Sequence, residues 1–119
     1  MAKILLAEDD DSMRTFLARA IERAGHEVIS VDRGTAALPL IAGGEFDLLL
    51  TDIVMPEMDG IELAQRAAGL APTMQVMFIT GFAAVALNRK NGAPANAKVL
   101  SKPFHLRDLV NEIDRLFAA

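Results

Sequence analysis

The stretch ILLAEDDDSMR, from Ile4 to Arg14, passes from an apolar run directly into four consecutive acidic residues. A continuous apolar run that ends in a polar loop is typical of a strand buried on both faces of a parallel sheet. Four adjacent carboxylates repel one another unless a positive group offsets their charge. The stretch therefore predicts a buried first strand whose carboxyl end carries concentrated negative charge.

The rest of the chain continues this alternation of apolar runs with helical patterns. Strands are predicted at 3–7, 27–31, 46–51, 75–80 and 97–101, and helical spacing of apolar residues follows each of them. Such alternation predicts a parallel sheet with helices on both faces, because right-handed crossovers cover both sides. The fold class is therefore α/β, with one domain over residues 1–119 and no output domain.

Two of the five predicted helices are expected to be short or irregular. The second contains Pro39, which costs about 3 kcal/mol inside a helix. The fourth, after Thr80, soon meets Asn88, Asn91, Gly92 and Pro94, so we expect at most two turns there.

The composition excludes several classes of function. The net charge is −4 with no basic stretch, which argues against nucleic-acid binding. The absence of cysteine excludes disulfides, thiol catalysis and a zinc ribbon, and it fits a reducing compartment such as the cytoplasm. No apolar run approaches the roughly 20 residues of a membrane span. We expect the two histidines, His26 and His105, to be structural or exposed.

Several polar residues fall at the carboxyl ends of the predicted strands. Glu8 and Asp9 follow the first strand, Asp52 the third, Thr80 the fourth and Lys102 the fifth. In an open α/β sheet these ends meet at one edge, where ligands bind. This edge would suit a phosphoryl group on Asp52. The carboxylates could bind Mg²⁺, while the Thr80 hydroxyl and the Lys102 ammonium could contact the phosphoryl oxygens.

Each of these features alone has a simpler interpretation. An acidic run after a strand is usually a solvated loop and helix cap, with Asp11 the better candidate for the cap and Ser12 next. Thr80 could bond only backbone, Lys102 could be a surface lysine, and Lys102-Pro103 could mark a turn with a cis bond. The combination at four strand ends is what favours a functional site.

The motifs AEDD, TDIVMPEMDG, ITG and SKPF resemble those of bacterial response-regulator receiver domains over essentially the whole chain. The resemblance implies a CheY-like, flavodoxin-like sheet in the strand order 2-1-3-4-5. It also implies that Asp52 accepts a phosphoryl group, without turnover as an enzyme beyond its own slow dephosphorylation. By the same resemblance, a bound Mg²⁺ would have as ligands Glu8, Asp9, Asp52 and the backbone carbonyl of Val54.

The same resemblance implies roles in signalling for other positions. Thr80 matches the switch hydroxyl, Lys102 the phosphate-binding lysine and Pro103 the cis proline, which Phe104 follows. The sequence departs from the family at Val99, where an aromatic switch residue is usual.

Partner contacts are also suggested by the weak fourth helix, where Phe82 and Val85 are apolar. Core packing is the alternative for both residues.

The stretches VMFITGFAAVALN and AKVLSKPFHLRDLVNEI are more closely similar to single-domain regulators of alphaproteobacteria. This likeness implies an adaptor of the ClpXP protease that is active when unphosphorylated. The phosphoryl group would come from a histidine kinase or histidine phosphotransferase. We expect a monomer or weak dimer.

Four alternatives remain. A phosphatase that forms an aspartyl phosphate needs a second Asp two residues after Asp52, where this chain has Val54. A flavodoxin-like cofactor binder needs a phosphate loop that is not acidic. A degenerate receiver would bind partners without taking phosphate. A phosphate shuttle or sink would share every residue of the site and differ only in its output.

Overall fold

The computed structural model describes residues 2–80 and 97–118. Five parallel strands form one sheet in the order β2-β1-β3-β4-β5, which confirms the predicted topology. The strands are β1 (Lys3–Ala7), β2 (Glu27–Val31), β3 (Leu48–Asp52), β4 (Gln75–Thr80) and β5 (Lys98–Ser101). The third strand lies slightly later than its apolar run predicted, so that Asp52 is its last residue.

Four helices are described: α1 (Asp11–Arg23), α2 (Gly34–Gly43), α3 (Gly60–Leu70) and the C-terminal α4 (Leu106–Leu116). The helix predicted after Thr80, with Phe82 and Val85, lies outside the described residues. Within residues 2–80 and 97–118, no helix is long and apolar enough to cross a bilayer.

The sheet separates two layers of core. Leu5, Leu49 and Phe78 point to the side of α2 and α3. Leu6 and Leu50, on the opposite side, pack with residues of α1 and α4. The central strands are therefore covered on both faces, as their continuous apolar runs predicted.

The start of α1 corrects one prediction. Asp10, and not Asp11, is the N-cap, because its extended backbone lets its carboxylate accept a 2.8 Å hydrogen bond from Met13 N–H. Asp11 is the first helical residue. The helix ends at the C-cap Ala24, and Gly25 follows in the left-handed region at φ 99°, which glycine adopts without strain.

The second helix keeps Pro39 in its interior and still spans ten residues, making it the shortest of the four described. Proline has no N–H for the carbonyl four residues earlier, which here belongs to the exposed Thr35. Solvent can satisfy that carbonyl, which explains why the helix continues through the proline.

His26 is structural, as predicted. Its Nδ1 accepts a 3.0 Å hydrogen bond from Ala2 N–H, and its Nε2 lies 2.9 Å from Asp114 Oδ1. The buried ring thereby joins the start of the sheet to α4, at the edge opposite the acidic residues.

Candidate functional site

The acidic residues predicted to converge do so at the carboxyl edge of the sheet. Carboxylate oxygens of Glu8, Asp9 and Asp52 all lie within 4.8 Å of one another. Hydrogen-bonded registry between β1 and β3 brings the ends of these strands side by side. Glu8 and Asp52 are buried, whereas Asp9 is exposed. The group therefore has a shielded interior and one side open to solvent.

The carboxylate of Asp52 is fixed by a donor on each oxygen. Its Oδ1 accepts a 2.7 Å hydrogen bond from the backbone N–H of Ile53. Its Oδ2 lies 2.9 Å from the ammonium of Lys102. A charge-assisted bond of this kind orients the group more firmly than a neutral one does. Asp52 therefore presents its carboxylate in one defined direction beside the other acids.

Lys102 is held at this position by both its backbone and its side chain. Its backbone N–H donates a 2.8 Å hydrogen bond to the carbonyl of Thr80, and the bond to Pro103 is cis, as predicted. Its Nζ also lies 3.8 Å from Glu8 Oε1. Burial alone would lower the pKa of Lys102, but the hydrogen bond and charge of Asp52 outweigh it and raise the pKa. The ammonium therefore stays charged at neutral pH.

Glu8 is the most deeply buried of the acids, at 1% exposure. Burial, together with the nearby Asp52 carboxylate, raises its pKa to about 8. Its Oε2 is buried without a hydrogen-bond partner among the described residues. An unsatisfied buried carboxylate oxygen beside two further carboxylates is a donor set that suits a hard divalent cation. These residues therefore fit Mg²⁺.

Arg14 is a member of this edge that the sequence reasoning missed. Its Nη1 donates a 2.9 Å hydrogen bond to the backbone carbonyl of Glu8, and its Nη2 lies 2.6 Å from Asp11 Oδ1. The three-residue spacing of Asp11 and Arg14 places them on one helix face and was the available signal. Of the four consecutive acids, Glu8 and Asp9 therefore lie at the site. Asp10 caps α1, and Asp11 pairs with Arg14.

The loop after Asp52 is fixed by α3. Asp59 caps this helix by accepting a 2.8 Å hydrogen bond from Glu62 N–H. Gly60 N–H donates a 2.7 Å bond to the carbonyl of Ile53. A Cβ at Gly60 would overlap the backbone of Asp52. The sequence MDG therefore starts a helix whose first residue is in contact with the backbone of Asp52 and Ile53.

The remaining predicted residues lie around the site with different degrees of exposure. Thr80 is fully buried at the end of β4, and Val99 is half-buried against the core on the α2 and α3 side. Val54 is 57% exposed, and the contact of its carbonyl with a metal stays a prediction. Phe104 packs against the core on the opposite side, with α1 and α4.

An apolar groove of about 360 Å³ opens directly beside Lys102. It lies between the first turns of α1 and the segment that joins β5 to α4. Phe16, at 56% exposure, forms its outer part. The full lining is Met13, Phe16, Leu17, Lys102, Pro103, Phe104 and Leu106. The groove places a hydrophobic surface next to the charged site.

Comparison with known proteins decides the family. The family described as "Response regulator receiver domain" matches residues 4–114. The chain belongs to the response regulator receiver family. It is 61% identical over 119 residues to the response regulator receiver protein CpdR of Brucella abortus, covering 100% of this chain and 99% of CpdR. The receiver domain therefore accounts for nearly the full length of that relative.

Other relatives carry the same domain within larger proteins. The sensor kinase CckA of Brucella abortus is 35% identical over 117 residues, which are 97% of this chain and 12% of the kinase. A crystal structure of the receiver domain from the hybrid histidine kinase CckA superposes with a TM-score of 0.81 at 31% identity, covering 95% of this chain and 96% of that domain.

Proposed function

We propose that this receiver accepts a phosphoryl group on Asp52 from a phosphohistidine protein and thereby changes its affinity for a protein partner. The observation that carries this proposal is the 2.9 Å contact between Lys102 Nζ and Asp52 Oδ2, flanked by two further carboxylates. A carboxylate so oriented is a nucleophile whose phosphorylated form already has a cation beside it.

The transfer needs a carboxylate oxygen of Asp52 to form a bond to phosphorus while the bond from phosphorus to the histidine nitrogen breaks. Mg²⁺, held by Glu8, Asp9, Asp52 and the carbonyl of Val54, would neutralise the phosphoryl oxygens. Lys102 would then pair with the phosphoryl group in place of the free carboxylate. Thr80 would donate a hydrogen bond from its hydroxyl to the same group.

The protein would act on itself and not turn over a substrate. Rapid hydrolysis of an aspartyl phosphate needs a general acid or base nearby, and the position two residues after Asp52 holds Val54. Valine cannot transfer a proton. The phosphorylated state would therefore last long enough to act as a signal.

The apolar groove beside Lys102 would receive the phosphodonor. A protein that delivers a phosphoryl group must contact the surface around Asp52, and this groove offers Phe16 as an exposed anchor. The similarity to the receiver of CckA supports a histidine kinase or histidine phosphotransferase as the donor.

The output would be an adaptor function for the ClpXP protease in the cytoplasm, active in the unphosphorylated state. This role is the one implied by the likeness of the motif stretches to single-domain regulators of alphaproteobacteria, and the 61% identity to the receiver protein CpdR over the whole chain strengthens that likeness. The runner-up function, a phosphate shuttle or sink, uses the same site but requires no stable output partner.

The test is binding of the purified chain to the N-terminal domain of ClpX by calorimetry, with and without BeF₃⁻ and Mg²⁺. The adaptor proposal predicts binding that is lost when BeF₃⁻ is added. The matched control is Asp52→Ala, which should fold and bind in both conditions because it cannot hold BeF₃⁻.

Absence of binding in either state contradicts the adaptor proposal. Rapid phosphoryl transfer from this chain to a second histidine protein would then favour the shuttle. Failure of Mg²⁺-dependent labelling of Asp52 by acetyl phosphate would contradict the phosphorylation proposal itself.

A further inference from the structure

Arg14 holds the peptide that joins the first two carboxylates of the acidic edge. β1 ends at Ala7, the last residue of that strand to pair with β2. One residue later, Glu8 N–H still donates a 3.1 Å hydrogen bond to the Val31 carbonyl. The Glu8 carbonyl accepts a 2.9 Å bond from Nη1 of Arg14, which is a side-chain donor. Both backbone polar groups of Glu8 are therefore fixed beyond the end of the strand.

The same bond sets the direction in which the chain enters Asp9. The Glu8 carbonyl and the Asp9 N–H belong to one planar peptide unit, so fixing the carbonyl fixes that plane. Glu8 and Asp52 are buried and are held by packing, whereas Asp9 is exposed. The position of the Asp9 carboxylate therefore depends more on its backbone than the positions of the other two do.

The guanidinium of Arg14 is itself oriented by its neighbours in α1. Its backbone N–H donates a 2.8 Å bond to the Asp10 carbonyl, which places Arg14 in the first turn of the helix. Its Nη2 lies 2.6 Å from Asp11 Oδ1. Because the guanidinium is a planar group with donors in fixed directions, the contact with Asp11 aims Nη1 at the Glu8 carbonyl. The Asp11 side chain is 85% exposed, so this ion pair orients Arg14 and adds little stability.

We infer that Arg14 is a positioning residue for the divalent cation and holds the Asp9 carboxylate beside Asp52 before the metal binds. The inference rests on the proposed function, since it requires that these carboxylates bind Mg²⁺. A ligand that is already held in place loses less conformational freedom on binding, and affinity is higher. Removal of a group that orients a metal ligand typically lowers metal affinity by about 10–100-fold.

The positive charge of Arg14 acts in the opposite direction. A guanidinium near the site repels a divalent cation, so through charge alone its removal should tighten Mg²⁺ binding. Loss of positioning should instead weaken binding. A merely structural role should lower the stability of the metal-free chain and leave the Mg²⁺ affinity of the folded chain unchanged. The sign of the change in affinity therefore separates the three roles.

Urea denaturation at one pH, in EDTA and across a series of MgCl₂ concentrations, measures both quantities. Stability in EDTA is that of the metal-free chain, and the gain with MgCl₂ gives the dissociation constant of the ion. Arg14→Met should bind Mg²⁺ about tenfold more weakly than the wild type. Arg14→Lys keeps the charge and a donor for the Glu8 carbonyl, so its affinity should recover to within about threefold of the wild type.

Arg19→Met is the matched control, because Arg19 is exposed on the same helix and its loss changes the net charge equally. It should bind Mg²⁺ as tightly as the wild type or slightly more tightly. Asp9→Asn alters a ligand itself and should lose most of the affinity, which assigns the measured ion to this site. If Arg14→Met does not fold, the shorter and uncharged Arg14→Gln replaces it, with the same expected loss.

Three outcomes overturn the inference while the wild-type chain binds Mg²⁺. The first is an Arg14→Met variant that binds the ion as tightly as the wild type, or no more weakly than Arg19→Met. The second is an Arg14→Lys variant as weak as Arg14→Met. The third is wild-type affinity in Asp9→Asn. A wild-type chain that Mg²⁺ does not stabilise contradicts the proposed function and this inference together.

Discussion

Gly60 packs directly against the backbone carbonyl of Asp52, with no space for a Cβ between them. The first residue of α3 and the last residue of β3 are therefore in backbone contact. The hydrogen bond from Gly60 N–H to Ile53 completes this contact. The position of the Asp52 carboxylate thus depends on a residue that carries no side chain.

Gly60→Ala should lower the free energy of unfolding by about 1–3 kcal/mol, because the new methyl group overlaps the backbone of Asp52. Urea denaturation measures this. The control is Gly69→Ala in the same helix, where nothing lies within 4 Å of an added Cβ. That variant should gain up to about 1 kcal/mol from helix propensity. Equal stability of the two variants would contradict the contact.

The stability of the metal-free protein should fall as the pH rises toward 8. Glu8 has a pKa of about 8 in the folded chain against an ordinary value of 4.5, so between these values the folded state holds a proton that the unfolded state has lost. The stabilisation from this group is complete below the unfolded pKa and is lost as the pH rises through the folded pKa, by at most about 1.4 kcal/mol per pH unit.

Urea denaturation in EDTA at several pH values measures this slope. Glu8→Gln should flatten it and weaken the stabilisation by Mg²⁺, whereas the exposed Glu45→Gln should change neither. A slope that Glu8→Gln leaves intact would assign the titration to another group.

Lys102→Ala should retain phosphorylation of Asp52 by acetyl phosphate but lose the response to it. The ammonium is the group that contacts Asp52 Oδ2, so its removal leaves the phosphoryl group without its protein cation. The phosphorylated and unphosphorylated forms of Lys102→Ala should then differ in their affinity for the partner by less than about twofold. Lys98→Ala, an exposed lysine at the start of β5, is the control. A response of wild-type size in Lys102→Ala would exclude this role.

Phe16→Ala should separate the two sources of phosphoryl groups. Transfer from a phosphohistidine protein should slow by about tenfold, because the variant removes the exposed anchor of the groove. Labelling by acetyl phosphate should not change, because a small donor needs no docking surface. Leu70→Ala, at the C-terminal end of α3 and about half exposed like Phe16, is the control. Parallel losses with both donors would mean that Phe16 acts on the site and not on docking.

The sheet and its acidic edge were predictable because their signals are local in sequence. The runs ILLA, LLL and VMFI mark the three central strands by continuous apolar character, and the motifs mark where four of the five strands end. Parallel topology then brings Glu8, Asp9 and Asp52 together without further information. Boundaries were less certain, and the apolar run at 46–51 placed β3 slightly too early.

Other features required three-dimensional packing and were not predictable. The choice of Asp10 over Asp11 as the helix cap depends on backbone angles that four similar acids do not reveal. The bond from Arg14 to the Glu8 carbonyl and the burial of Glu8 arise from how α1 folds back over β1. The groove beside Lys102 likewise forms only when α1 and the segment before α4 meet.

That groove also makes the protein suitable for an optical measurement. The chain contains neither tryptophan nor tyrosine, so its own emission is that of phenylalanine alone. Phe104 lines the groove two residues after Lys102. A Phe104→Trp variant would carry a single tryptophan, whose emission wavelength and intensity report the local polarity. One side chain would then register both the arrival of a donor protein in the groove and a change at the neighbouring lysine, in real time and without a label.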